Sequence, residues 1–563
     1  MGQGSTYDQL RRNIVIAADI YGDPLAAPRI LAASYGFEGI QGIPGLLSEN
    51  DIALAYAAGA GVVQPLVGLD PAAPLRNITS GASRVGVLAA GFSATPVPET
   101  FMDAMPIEFS HPVLPSTVVP QNFRITLNTG EVVTPLYVAQ NPNYDFNERQ
   151  TLVVFGYFGN RLPSSNPASV HPATFSVVPS DNPLQLITPR GLVNGSGLSL
   201  GSSNPYDPFN GPKLAGAKLS PLSLAGDYPP VGFGASVANH GVEYYGSGED
   251  LYRLRLFTSG GFSPDGVSGL LPQEFERFFV LEARRAGGGL RRIRRAGRPV
   301  QVKGGRLEVL GIADLGTGLG ADPAYTYAED HDNQFDIIVR ASSPEAAAAL
   351  RRVILPDPRS GTHSPLYNPG GPGQNPLPDT LYTEPGPGQV LRIQQALRDP
   401  AVVSWAAQSL DAYDLADDLA VAFRLRDPIT GEWQLTASSS DASTLVGEGW
   451  ELVDVPFSAN PNDSFVVDVV ALRSERHNDT IYTTDPDRVL QGGLALGDYE
   501  NLGTVFTAYD RPFRGLDPVF QLVSRRSGQH LYTASPEERD GLLASGDWRA
   551  EGIAFHAVAF PNA

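Results

Sequence analysis

Three groups of residues have types and spacings that could do chemistry. Near the C-terminus, His530, Tyr532, Trp548 and Glu551 fall close together, and Tyr482 and Trp433 occupy related places upstream. Tyr and Trp carry a flat apolar face with a polar edge, which suits stacking on a sugar ring, while His and Glu can hydrogen-bond its hydroxyls. The competing assignment puts the same rings in a core. A second group, Glu329, Asp330, Asp332, Asn333 and Asp336, gathers oxygen donors in a loop just before a strand. Such donors suit calcium, although the Gly and distal Glu of an EF-hand are missing, and a solvated loop is the alternative. The third group is basic. Arg291, Arg292, Arg294 and Arg295 lie beside Gly287-Gly288-Gly289, with Arg284, Arg285, Arg298, Lys303 and Arg306 nearby. In an acidic chain this reads as a hairpin arm for an anion or for self-assembly, weighed against a purely solvated hairpin.

No catalytic residue can be assigned. Gly197-Leu198-Ser199-Leu200-Gly201 matches a nucleophile pattern, but that chemistry needs a strand-turn-helix elbow, and Ser202-Ser203-Asn204-Pro205 starts no helix. The histidines show no helical zinc-binding pair. Carboxylate pairs for glycoside cleavage are set by tertiary distance, which spacing does not reveal.

The elements that must position the first group repeat three times, at roughly fifty-residue intervals. The third copy reads Phe520, Leu522, Gly528, His530, Tyr532, Thr533, Trp548, Glu551, Gly552, Phe555; the second Val470, Leu472, Thr480, Tyr482, Thr483, Tyr499, Gly503, Phe506; the first Phe423, Leu425, Gly431, Trp433, Leu435, Thr436, Trp450, Phe457. One such unit cannot bury its apolar face alone, so the copies must close on each other. The Gly-x-His-x-Tyr-Thr strand followed by Trp and Glu-Gly-x-x-Phe resembles a repeat of secreted bacterial and fungal proteins, often found beside hydrolases or adhesins. That resemblance implies export and a carbohydrate or cell-wall ligand, with the third copy as the candidate pocket.

A second resemblance lies upstream. Ile107-Glu108-Phe109-Ser110-His111-Pro112-Val113, then Asn122-Phe123-Arg124-Ile125, is similar to the opening of bacterial immunoglobulin-like domains of surface-layer and adhesin proteins. It implies an extracellular spacer or display domain. Independently, strands are expected at Asn122–Leu127, Val132–Val138, Gln150–Tyr157 and Ala173–Val178, a sandwich spacing. The long interval 141–148 departs from the compact form.

Composition bounds the rest. A chain of 563 residues exceeds one core. Gly 60 and Pro 49 favour short strands and many turns. Net charge −20 argues against nucleic acid, which demands a basic surface. Lys213, Lys218 and Lys303 are the only lysines, so an anion site here must be built mostly from arginine. Absent cysteine excludes disulfides and thiolate sites. No run reaches the length of a membrane helix, and the first residues lack the apolar core of a secretory signal.

These readings give a mainly β, multidomain protein: a mixed segment over 1–98, an immunoglobulin-like sandwich over 99–190, a second β-rich domain over 191–356, a Pro/Gly linker with short helices over 357–415, and a pseudo-threefold β module over 416–563. Within them, strands are expected at Asn13–Ile20, Leu251–Phe257, Phe278–Leu281, Gln301–Leu310 and Phe335–Val339. Helices are expected at Glu49–Ala58, Ala346–Ile354, Val390–Arg398 and Ala401–Asp414. The functional expectation is an extracellular or cell-surface binding or structural protein of bacterial origin. Its partners would be a glycan or cell-envelope polymer and other copies of itself, with calcium as the one candidate cofactor. The alternatives are a secreted polysaccharide hydrolase and a surface-layer or filament subunit.

Overall fold

The computed structural model describes residues 11–34, 103–140, 143–156, 158–159, 167, 170–202, 213–230, 241–259, 270–314, 333–356, 388–398, 400–413, 419–491 and 498–561. The chain is mainly β, with short helices, as expected. It divides into two compact units. One joins Ala18–Leu222 to Ser236–Val402, and the other joins Met1–Ala17, Ser223–Ala235 and Val403–Ala563.

The first unit holds two packed-sheet layers. In the first layer, Ile30–Ala33, Asp103–Phe109, Thr151–Gly156 and Tyr137–Ala139 form one four-stranded antiparallel sheet. Ser199–Gly201, Pro172–Val177, Phe123–Leu127 and Val132–Val133 form another. Phe109, Phe123, Phe158, Phe175, Leu152 and Val154 fill one core between them. Alternation along Phe123–Leu127, buried at Phe123, Ile125 and Leu127, is what a one-sided strand requires.

The second layer packs a six-stranded sheet, centred on Leu251–Thr258 and Gln334–Ala341, against a four-stranded one built on Val280–Arg284 and Leu350–Leu355. Leu254 and Leu256 face that core. The residues that alternate with them, Arg253 and Arg255, are buried too. They face a layer of charge. Lys218 lies opposite Arg255, which lies opposite Asp336, across three neighbouring strands. Arg255 donates through Nε and Nη2 to both oxygens of Asp336 (2.8 and 2.9 Å) and through Nη2 to Asp314 (3.1 Å). Lys218 Nζ donates to Asp19 (2.6 Å) and to the carbonyl of Ala401 (2.8 Å). Burial alone would raise the Asp19 pKa, but the charges of Lys218, Arg253 and Arg255 hold it down at about 2. Tyr21 stacks on Phe257 at 4.9 Å, and a Cβ at Gly216 would come within 2.5 Å of the Tyr21 ring, so only glycine fits there.

Several helical expectations give way to strands. Ser343 caps a helix as expected, its Oγ accepting from the Ala346 amide, but the helix ends at Ala347. Leu350–Leu355 then pairs with Val280–Arg284 and Gln389–Arg392, because partners on both sides outweigh the local helix preference of an Ala- and Arg-rich run. The expected helix Val390–Arg398 likewise gives way to the edge strands Gln389–Arg392 and Gln394–Gln395, and Ala401–Asp414 contains Val402–Ala406, each held by a ladder on one side. Near Phe278–Leu281, a helical turn runs to Phe278 and the strand starts at Val280. The expected helix Glu49–Ala58 lies outside the described residues.

In the second unit the repeat emerges as strand, strand, helix, strand, three times. The copies are Val421–Arg426, Trp433–Thr436, Ser439–Gly447 and Glu451–Ser458; Val467–Ser474, Asp479–Thr483, Pro486–Gln491 and Glu500–Ala508; Asp517–Ser524, His530–Thr533, Pro536–Ala544 and Trp548–Ala557. Each forms a separate three-stranded antiparallel sheet with its first strand in the middle. All three share one core, in which Phe457, Phe506 and Phe555 meet pairwise at centroid separations of 5.5–6.4 Å. Three sheets closing on one aromatic cluster is what the repeat demanded.

Two outcomes test these packing arguments. Phe506→Ala removes one member of the shared cluster and should cost about 3–5 kcal/mol in denaturant unfolding of the second unit. Arg255→Met removes the guanidinium that Asp336 and Asp314 share and should cost the first unit about 3–5 kcal/mol; a loss under ~1 kcal/mol would show the layer to be hydrated.

Candidate functional site

The Tyr-Thr pair of copies two and three, Leu-Thr in copy one, has two jobs. The Thr hydroxyl turns the chain from strand to helix: Thr436, Thr483 and Thr533 Oγ1 accept from the amides of Ser438, Asp485 and Ser535 (3.1, 3.0 and 3.0 Å). Those next residues then cap the helices, Ser438 accepting from Asp441, Asp485 from Arg488, and Ser535 from Glu538, all at 3.1 Å. The Tyr reaches the neighbouring copy. The Tyr482 amide donates to Tyr532 Oη (2.8 Å), and the Leu435 amide donates to Tyr482 Oη (2.8 Å), which donates in turn to the Leu435 carbonyl (3.1 Å). Tyr482 and Tyr532 are therefore buried, with their ring faces in the core, and the expectation that they stack on a sugar is corrected. The competing core assignment describes them.

Each seam also carries charge. Between copies one and two, Glu432 accepts from Arg473 (2.9 Å) and from Thr480 Oγ1 (3.2 Å). Between copies two and three, Asp479 stands at the same place in the repeat and takes His530: its Oδ1 accepts from the His530 amide and its Oδ2 faces Nδ1, both at 2.7 Å. The other ring nitrogen of His530 meets Glu551 at 3.0 Å. Glu551 is held in turn by Gln521 (3.0 Å) and Arg549 (2.8 Å). His530 and Glu551 are thus brought together, and the imidazole is buried and engaged on both sides. Trp548 opens its strand half-buried, opposite Ser524. Trp433 is half-buried beneath the guanidinium groups of Arg424 and Arg426, at 5.5 and 5.6 Å.

The seam between copies three and one is built differently. Leu435 stands where the other copies have Tyr, so no hydroxyl crosses. Instead Arg424 grips Asp454 with two bonds (2.8 and 2.6 Å) and donates across the seam to the Tyr532 carbonyl (3.1 Å) and Glu538 (3.0 Å). Asp454 occupies the place of Gly503 and Gly552, three residues before the core phenylalanine. A cavity of about 620 Å³ opens here, lined by Arg424, Asp454, Asp517, Glu537, Glu538 and Phe560 among others. Burial raises the Asp517 pKa, against a bond accepted from the Ala559 amide. Sequence reasoning missed this cavity. Its only signal was negative: two positions where the first copy departs from the repeat.

The calcium loop is only partly described. Glu329, Asp330 and Asp332 lie outside the described residues. Asn333 donates to Glu108 (3.0 Å) and to the Thr258 carbonyl (2.8 Å), and both oxygens of Asp336 accept from Arg255, so these two are committed to the packed layer. Among the described residues, Asp145, Glu148 and Asp314 bring carboxylate oxygens within 4.8 Å of one another, all buried, with Arg255 on Asp314. Of the basic arm, Arg292 pairs with Glu282 (3.2 Å), whereas Arg291, Arg294 and Arg295 meet no carboxylate among the described residues.

Residues 421–558, which contain the three copies, match the model of a domain of unknown function, DUF5648. Three solved structures are similar at low level: a tetra-tandem repeat from the extending region of a large adhesion protein (9% identity, 81% of this chain, 87% of that one, TM-score 0.10), domains 1–6 of the surface-layer protein SbsC (10%, 68%, 60%, TM-score 0.09) and the S-layer protein rSbsC (10%, 68%, 60%, TM-score 0.09). Likeness at that level carries no argument. No curated protein matches the chain, and no helix among the described residues is long and apolar enough to cross a membrane.

The His530 site predicts a pH profile. Burial lowers the imidazole pKa, but the bonds and charges of Asp479 and Glu551 outweigh it and raise it to about 9. A raised folded value means the bonus is complete below about pH 6.5 and is lost as pH climbs through about 9. The loss should be on the order of 2–3 kcal/mol in denaturant titrations across that window, and His530→Gln should flatten it.

Proposed function

We propose that this is a cell-surface binding protein whose C-terminal module holds a neutral, hydroxyl-rich glycan in the cavity between copies three and one. The observation that carries the reading is the broken seam. Where Tyr hydroxyls and aromatic packing fill the other seams, this one leaves a cavity lined by carboxylates and one guanidinium. Carboxylates and guanidinium groups hydrogen-bond sugar hydroxyls well. Asp454, Asp517, Glu537 and Glu538 against Arg424 leave the lining acidic, which disfavours uronate- or phosphate-bearing chains. The absence of cysteine and the sandwich resemblance support a place outside the cell. Asp454 and Glu538 are bonded to Arg424 rather than left free for acid–base work, and binding rather than cleavage is the reading.

Glycan-array binding by the intact chain tests it. Neutral glycans should bind, and Asp517→Asn with Glu537→Gln should weaken binding by roughly tenfold with the melting temperature kept, since few contacts carry most affinity. An array on which only acidic glycans bind, or binding indifferent to both variants, would overturn the assignment.

A further inference from the structure

A concentration of uncompensated charge lies in the first unit. Val280–Arg284, Leu290–Ile293, Leu350–Leu355 and Gln389–Arg392 form a four-stranded sheet in which Arg292, Glu282, Arg352 and Arg392 lie opposite one another in a single row. Glu282 takes Arg292 at 3.2 Å and Arg352 at 3.5 Å. Arg392 is left directly opposite Arg352, a like-charged cross-strand pair that costs stability unless something neutralises it. Beside the row is a cavity of about 730 Å³, lined by Arg284, Arg285, Lys303, Arg351, Arg352 and Arg392 together with the Gly288-Gly289 turn.

Five of those six cations, Arg352 being the exception, have no carboxylate partner among the described residues. The Arg351 Nε is buried and has no acceptor. A buried donor without a partner costs free energy that a bound oxygen would recover. The Lys303 amide donates to the Arg284 carbonyl (2.8 Å), which pins the lysine's turn to the hairpin and fixes one rim of the cavity. In a chain of net charge −20, solvation explains scattered arginines, but it does not explain six cations converging on one concavity.

We propose that this cavity is a binding site for a ligand carrying several phosphate groups. Guanidinium forks match phosphate oxygens in pairs, and Lys303 adds a movable point charge. Five unpaired cations call for a ligand with several charges rather than one. The site replaces the sequence-based arm: Arg291, Arg294 and Arg295 do not line it, and Arg351, Arg352 and Arg392 come to it through strand pairing. It stands independently of the glycan reading, since its ligand has the charge that the acidic seam repels.

Calorimetry on the full chain at fixed salt tests it with two probes, sodium tripolyphosphate and a poly(glycerol phosphate). Tighter binding of the first assigns a free oligophosphate, and tighter binding of the second a phosphate-bearing polymer; either supports the site. Arg351→Gln with Arg392→Gln should weaken binding at least roughly tenfold, and Lys303→Gln, at an exposed turn, severalfold without altering the fold. Arg294→Gln with Arg295→Gln should change it less than about twofold. Binding of neither probe, or equal losses in the pocket and control pairs, would overturn the proposal.

Discussion

A three-stranded sheet with one short helix cannot cover its own apolar face, and the C-terminal unit is shaped by that limit. Each copy brings one phenylalanine to the shared centre, and Phe457, Phe506 and Phe555 close the module only if all three arrive together. The Tyr hydroxyls follow from the same closure. Where a sheet edge of one copy approaches the next, its amides need partners, and Tyr482 and Tyr532 supply them at Leu435 and Tyr482. The charged groups at the seams belong to this requirement as well: Glu432 and Asp479 hold the same place in their copies and each meets the following copy.

The other unit is constrained by buried charge. A strand that alternates Leu with Arg looks half-exposed, yet Leu251–Thr258 is buried on both sides. Such burial is tolerable only because Asp19, Asp314 and Asp336 stand within reach of Lys218, Arg253 and Arg255. The layer then fixes register, because slipping a strand by one residue would turn the guanidinium groups into the hydrophobic core.

How far the sequence foretold this differs from place to place. Its repeat spacing showed the module, the Ser343 cap was visible, and the strands at Phe123–Leu127 and Leu251–Thr258 were readable from their alternation and length. Leu350–Leu355 was not, since an Ala-rich start followed by Leu-Arg-Arg favours helix until Val280–Arg284 and Gln389–Arg392 flank it. Sites fared worse for the same reason. Tyr532 as a lone residue has a face for a sugar; only the neighbouring copy shows that the face is covered. Arg351 and Arg392 are unremarkable in sequence, and strand pairing alone brings them to Arg284 and Lys303.

A repeat that closes with identical seams would leave no place for a ligand, because the groups that satisfy one junction satisfy them all. Binding needs a junction where the repeat fails. In this module the failure is specific: Leu435 withholds a hydroxyl, Asp454 takes the place of glycine, and Arg424 spans the gap between Asp454 and Glu538. Two substitutions in the most divergent copy thus turn a packed seam into an open one. The divergence of copy one, which looks like decay when the copies are aligned by eye, is what opens the cavity at this seam, while the better-preserved copies close the other two.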